Sequence, residues 1–202
     1  FAIAVILLLS ELYKQLFHFY VMDNKTYDWW IFPFQLCSLP MYLCAILPFM
    51  KKSRWLIPLE TFLMDFNLLG GLMALLVPDG LMHPYITLTL HAFVWHFLLL
   101  FVGCFIGFSR HGDTSLSGFI KTLPILLICI GAATLLNVLF HSYGDINMFY
   151  ISPYKITTQP VFSQIMKRTG IWIGNLLYIT AMCITAFLIH RMFATIRRSC
   201  EK

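Results

Sequence analysis

Charge is what this sequence has least of. Of its 202 residues, 11% are charged and 59% are apolar, with a mean hydropathy of +0.79. An ordinary soluble domain carries roughly 25% charged residues, so too few are present here to cover a globular surface, and a soluble fold is excluded. The net charge of +5 is small and spread over loops and tails; without a basic stripe, nucleic-acid binding is excluded as well. Six cysteines are present but no CxxC pair, so neither a metal site nor a disulfide framework is signalled, and no cofactor is called for. There is no initiator Met and no cleavable signal pattern. The chain opens at Phe1 already inside an apolar run, which suggests that an N-terminal piece is missing. No internal repeat or low-complexity tract is visible.

What the sequence does have is long apolar runs. In lipid only helices and closed barrels satisfy the backbone. Barrel strands alternate apolar and polar residues, whereas these runs are continuous over roughly 20 residues, the length one helix needs to cross the hydrocarbon core. Six segments read this way: 1–21, 31–50, 58–77, 85–107, 117–140 and 171–193. The expected fold is all-α, a polytopic transmembrane bundle of about six spanning helices, with 1–202 as one domain. The connection 141–170 is the longest and shows no clear secondary structure. A loop of that length is commonly functional or disordered. Its tyrosines and prolines suit packing across the helix ends.

Positive residues set the expected orientation. Lys51, Lys52, Arg54, Arg110, Lys121, Arg191, Arg197, Arg198 and Lys202 fall on one side; Lys25, Lys155, Lys167 and Arg168 fall on the other. The richer side reads as cytoplasmic, so both termini are expected there. In the first segment Glu11, Lys14, Gln15 and His18 share one helix face, which should turn toward the bundle interior.

Polar residues inside spanning helices are costly, so each needs a reason. They are Glu11, Gln35, Cys37, Asp65, Asn67, His91, His96 and Asn137. At 1.5 Å per residue, Cys37 and His91 each fall about 9 Å below the outer ends of their helices. Asn137 and His141 stand at the outer end of the fifth segment. A thiol and an imidazole at one level form a candidate nucleophile and base, with Gln35, Asn137 or backbone amides to stabilise an oxyanion. Pro40 lacks a bond to the Leu36 carbonyl and would loosen the turn carrying the thiol. The bland alternatives stand beside this: free cysteine is often a small buried hydrophobe, and a core histidine often only satisfies a carbonyl. His96, about 140° round the helix from His91, is not expected to face the same site. Asp65 is expected in a buried pair, with Glu11 or Lys14 as partners, or in an ion pathway. Asp79 reads as a turn residue.

At these residues the chain resembles a known family. Pro33-Phe34-Gln35-Leu36-Cys37 is similar to the Pro-Leu-His-Leu-Cys element of the YwaF-like integral membrane proteins of bacteria, with Gln35 standing where that pattern has histidine. Gly71 to Asp79, then His83-Pro84 and the run to His91, follow in the same order. So do Asn137, Gly144, Asn147-Met148, Pro153, Gly170, Trp172 and Tyr178. That family resembles the eukaryotic transmembrane protein 164 group, acyltransferases of ether phospholipids that use a cysteine and a histidine. More remotely it resembles the androgen-induced membrane hydrolases, which use a threonine and a histidine. The resemblance implies Cys37 as nucleophile, His91 as its partner and a bacterial cytoplasmic membrane as the setting; Gln35, Asn137 and Asn147 are expected to stabilise the oxyanion or orient substrate.

The resulting expectation is an integral membrane enzyme that transfers or hydrolyses acyl groups, with membrane lipids as substrate and no cofactor. Two rivals come from other classes. One is a small transporter or channel built on Glu11, Lys14, Asp65 and Asn67. The other is a non-catalytic metal or haem binder using Cys37, His83, His91 and His141.

Overall fold

The structure, a computed structural model, describes residues 2–200; Phe1 and Lys202, which entered the span and charge readings, lie outside the described residues. The described residues are helical and loop, without strands. Five helices are long and apolar enough to cross a membrane: α1 (Ala2–Met22), α3 (Leu56–Leu76), α4 (Ile86–Phe108), α5 (Leu116–Phe140) and α7 (Ile171–Ser199). Between them lie the short α2 (Leu39–Phe49) and α6 (Pro160–Thr169). This is a polytopic helical membrane bundle.

The expected helix over 31–50 is the main departure. Residues before a proline are pushed out of the helical region, and Phe32, before Pro33, has φ −51° and ψ 130°. The chain therefore descends through a 3-10 turn at Trp29–Ile31 and a series of turns, and becomes α-helical only at Leu39. Pro40 sits in the first turn of α2, where no intrahelical bond is lost; it does not loosen a helix around Cys37, because Cys37 precedes the helix. α2 spans about 16 Å, roughly half of a hydrocarbon core. The rest of the crossing is made by turns covered by neighbours. The Tyr42 hydroxyl donates to the Pro33 carbonyl at 2.9 Å and the Ser38 amide to the Gln35 carbonyl at 2.9 Å. Such irregular backbone is tolerated at membrane depth when protein buries it.

The connection expected to be structureless contains α6. Pro160 opens it and Gly170, at φ 87°, separates it from α7. The left-handed φ is one glycine adopts without strain. Met166 folds back onto Gly174, where a Cβ would lie 2.2 Å from its Cγ.

Small residues let the spanning helices approach closely, as in membrane bundles generally. A Cβ at Gly103 would meet the Leu68 Cβ at 2.8 Å, joining α4 to α3, and one at Gly107 would meet the Phe193 ring at 2.2 Å, joining α4 to α7. At the end of the bundle where α2 meets α3 and α4 meets α5, a polar lock adds to this. Asp65, in a π-helical turn of α3, takes a 2.9 Å bond with His190 Nδ1 of α7, and both residues are fully buried. His190 Nε2 reaches the Ser115 carbonyl at 2.9 Å. Because that carbonyl only accepts, Nε2 carries a hydrogen, and the Asp65–His190 bond then holds one further shared proton. Arg197 donates to the carbonyls of Ile106, Gly107 and Gly112 at 3.1, 2.8 and 2.6 Å, closing the C-terminus of α4.

Candidate active site

The opposite end of the bundle opens into a cavity of about 460 Å³. Its wall takes side chains from α1, the 30–38 turns, α3, the α3–α4 connection, α4, the 149–160 loop and α7. Along α1 it reaches from His18 to Glu11, a depth of about 10 Å.

Cys37 lies on this wall, in the turn that precedes α2. Its main-chain carbonyl accepts a hydrogen bond from Trp95 Nε1 at 3.0 Å. The Trp95 ring packs against His91, centroids 5.9 Å apart and planes inclined by 31°. His91, one turn earlier on α4, also lines the cavity, and its Nε2 bonds the Ser10 carbonyl at 3.0 Å. A carbonyl can only accept, so Nε2 carries the hydrogen and Nδ1 carries the lone pair. The thiol and the imidazole are thus joined through Trp95 rather than by a direct hydrogen bond.

The polar face of α1 forms one wall, turned inward as its spacing predicts. Lys14 Nζ pairs with Glu11 Oε1 at 2.8 Å, and Gln15 donates to Glu11 at 2.7 Å and to the Ile31 carbonyl at 2.9 Å. Lys14 is within electrostatic reach of Cys37, His83, His91 and His96. His18 Nδ1 stands 3.3 Å from Asp23 Oδ2, and its ring meets that of His83 edge-on. Burial, then His18 and Lys14, hold the His83 imidazole below its ordinary range.

The loop 147–152 forms the remaining wall, and amide side chains lace it to three elements. Gln35 accepts from the Phe149 amide at 2.7 Å and donates to the Asn147 carbonyl at 3.0 Å. Asn137 of α5 accepts from the Met148 amide at 2.6 Å and donates to its carbonyl at 3.1 Å. Asn147 accepts from the Ser152 amide at 2.9 Å, and Asn175 of α7 donates to the Ile151 carbonyl at 2.9 Å. This lacing holds Phe149 and Tyr150 at φ 56° and 60°. Two successive non-glycine residues in the left-handed region cost energy and persist only where surroundings impose them. The result is that Tyr150 turns into the cavity.

A family model described as the TMEM164 family matches residues 1–191. The chain belongs to the TMEM164 family. No curated protein and no solved structure matches it. It is the TMEM164 description that the chain matches; the YwaF-like label rests on the motifs alone.

In this TMEM164-family chain the fold brings Cys37, His91 and Gln35 onto one cavity, while Asn137 and Asn147 lie buried behind its wall. The amides expected to orient substrate are engaged with loop backbone: their acceptors are filled in Gln35, Asn137 and Asn147, and a donor is also committed in Gln35 and Asn137. His96 does line the cavity with His91; the cavity wraps around α4, so the angle between the two does not separate them. Asp65 is in a buried pair, but with His190 rather than Glu11 or Lys14. The set Glu11, Lys14, Asp65 and Asn67 is therefore split between the cavity and the polar lock, with Asn67 donating to the Leu99 carbonyl at 2.9 Å. His141 stands apart from the other histidines, stacked on Tyr154 at 4.3 Å. Among the described residues no group of three or more His, Cys, Asp or Glu is placed to hold a metal. Trp95 and Tyr150 escaped the sequence reading: Trp95 looks like one more apolar residue in a spanning run, and Tyr150 like one of several loop aromatics.

Proposed function

We propose that this chain is a membrane-embedded enzyme acting on acyl esters of membrane lipids, with Cys37 as nucleophile and His91 as base. The observation that carries the reading is that Cys37 and His91, distant in sequence, line one cavity of about 460 Å³ with Trp95 touching both residues. A buried thiol needs a base to become the attacking thiolate. The lone pair on His91 Nδ1 suits proton removal, directly or through one water, and apo geometry of such pairs is commonly loose.

The thiol sulfur attacks the ester carbonyl while its proton passes to the imidazole. Collapse of the tetrahedral intermediate breaks the ester C–O bond, and the departing oxygen takes the proton back. Water or a lysolipid hydroxyl then attacks the thioester. The distribution of charge supports the setting: counted from the residues flanking the helices, the cavity end is the poorer in Lys and Arg, and the positive-inside rule favours an outer location for that end, with both termini cytoplasmic.

The test is para-nitrophenyl decanoate turned over by the purified protein in detergent. Cys37→Ala should abolish the nitrophenolate burst and His91→Ala should slow it about 100-fold or more, with the acyl group recovered on Cys37 by mass spectrometry. An undiminished burst in Cys37→Ala would end this reading.

A further inference from the structure

The fold presents a phenol, not an amide, to the carbonyl that Cys37 would attack: we infer that the Tyr150 hydroxyl is the oxyanion donor of this site. The inference rests on the reading of Cys37 as nucleophile.

Three observations carry it. Tyr150 and Cys37 line the same cavity and lie within electrostatic reach of each other. The amide groups of suitable chemistry are already tied to the loop, Gln35 and Asn137 by donor and acceptor alike. And what those amides achieve is to impose the left-handed pair Phe149–Tyr150 that aims this ring inward. Strain maintained by dedicated hydrogen bonds next to a cavity is the signature of a preorganised group. The ring itself is braced edge-on by Trp30, centroids 5.6 Å apart, so the hydroxyl is held without being consumed. Burial, and to a lesser degree Cys37, pushes the phenol up to about 12, so it stays protonated and able to donate throughout the neutral range.

In the step, the sulfur–carbon bond forms and the carbonyl π pair moves onto oxygen. The Tyr150 O–H donates to that oxygen as charge develops and keeps its proton. When the C=O bond re-forms and the alkoxy group leaves with the proton from His91, the phenol is unchanged.

Tyr150→Phe tests this because it removes only the hydroxyl. With para-nitrophenyl decanoate, acylation should slow by about 100-fold or more, chiefly in kcat, with KM little changed. Alkylation of Cys37 by iodoacetamide builds no oxyanion, so its rate should equal that of the unaltered protein; this also verifies that the cavity is intact. Full ester turnover in Tyr150→Phe would overturn the assignment, as would a loss matched by slowed alkylation, which marks a structural role. Tyr178→Phe is the second arm, since Tyr178 shares the cavity and the electrostatic neighbourhood of Cys37 and Tyr150. If it alone abolished turnover, the role would belong there and the assignment to Tyr150 would fall. Each of these outcomes presupposes a Cys37-dependent burst; its absence in the unaltered protein would instead sink the function proposed above.

Discussion

The indole of Trp95 donates to the main-chain carbonyl of Cys37 at 3.0 Å while its ring lies against His91. One α4 side chain therefore fixes the backbone of the thiol and one face of the imidazole. At 5% exposure Trp95 is shielded from competing solvent, so its bond is made in surroundings where a polar contact counts fully.

Replacing Trp95 with Phe should keep the ring contact in part and remove the hydrogen bond. A bond of this kind contributes about 1 kcal/mol, so ester acylation should fall roughly fivefold to tenfold with little loss of folded protein. Burst kinetics beside a thermal melt would check this; unchanged kinetics would show that Cys37 is positioned without Trp95.

Asn137 satisfies both main-chain groups of Met148 from a fully buried position. Asn137→Ala leaves the Met148 amide without a partner and its carbonyl with only the Ile151 amide, at 3.3 Å, at a cost of about 1–3 kcal/mol for the orphaned donor. The loop 147–152 should become sensitive to protease at concentrations that spare the unaltered chain. A protease-resistant loop with an unshifted melt would contradict the lacing.

The Asp65–His190 pair is distant from the cavity, and its expected effect is on stability alone. Asp65→Ala leaves the buried imidazole without its carboxylate, a change that costs about 3–5 kcal/mol. Asp65→Asn, which can donate to His190 Nδ1, should cost clearly less. Ester turnover per folded molecule should be unchanged in both, and a specific loss of turnover in Asp65→Asn would tie the lock to the chemistry.

His83 gives a pH dependence with a definite sign. Burial, His18 and Lys14 hold its imidazole below the ordinary value in the folded chain. The unfolded chain therefore takes up the proton first, and stability is highest above the ordinary histidine range. It is lost as pH falls through about 6.5 and below. The melting temperature in detergent should drop on acidification, and His83→Gln should drop less. Parallel slopes for the two proteins would show that His83 does not titrate between folded and unfolded states.

Gly107 packs against the Phe193 ring with no room for a methyl group. Gly107→Ala should destabilise by about 1–3 kcal/mol through overpacking, against the gain in helix propensity an alanine normally brings. A raised melting temperature would show that Phe193 moves aside at no cost.

The membrane class and the five long spans were written in composition and run length, because lipid leaves the backbone no other solution than a helix. The inward face of α1 was equally legible, since a polar stripe at helical spacing has nowhere else to turn. Pro33 carried the information that the second segment could not be one helix, yet a continuous apolar run masked it. Beyond that point the chain needed its third dimension. Which carboxylate meets His190, that Gln35 holds the 147–152 loop, and that Tyr150 lines the same cavity as Cys37 all bring together residues far apart in sequence; that His91 and His96 share that cavity depends on how the other helices wrap around α4. Local periodicity sets which face of a helix is polar; only the packing of the helices decides which polar groups meet, and there the cost of leaving a buried donor or acceptor unpaired favours one arrangement.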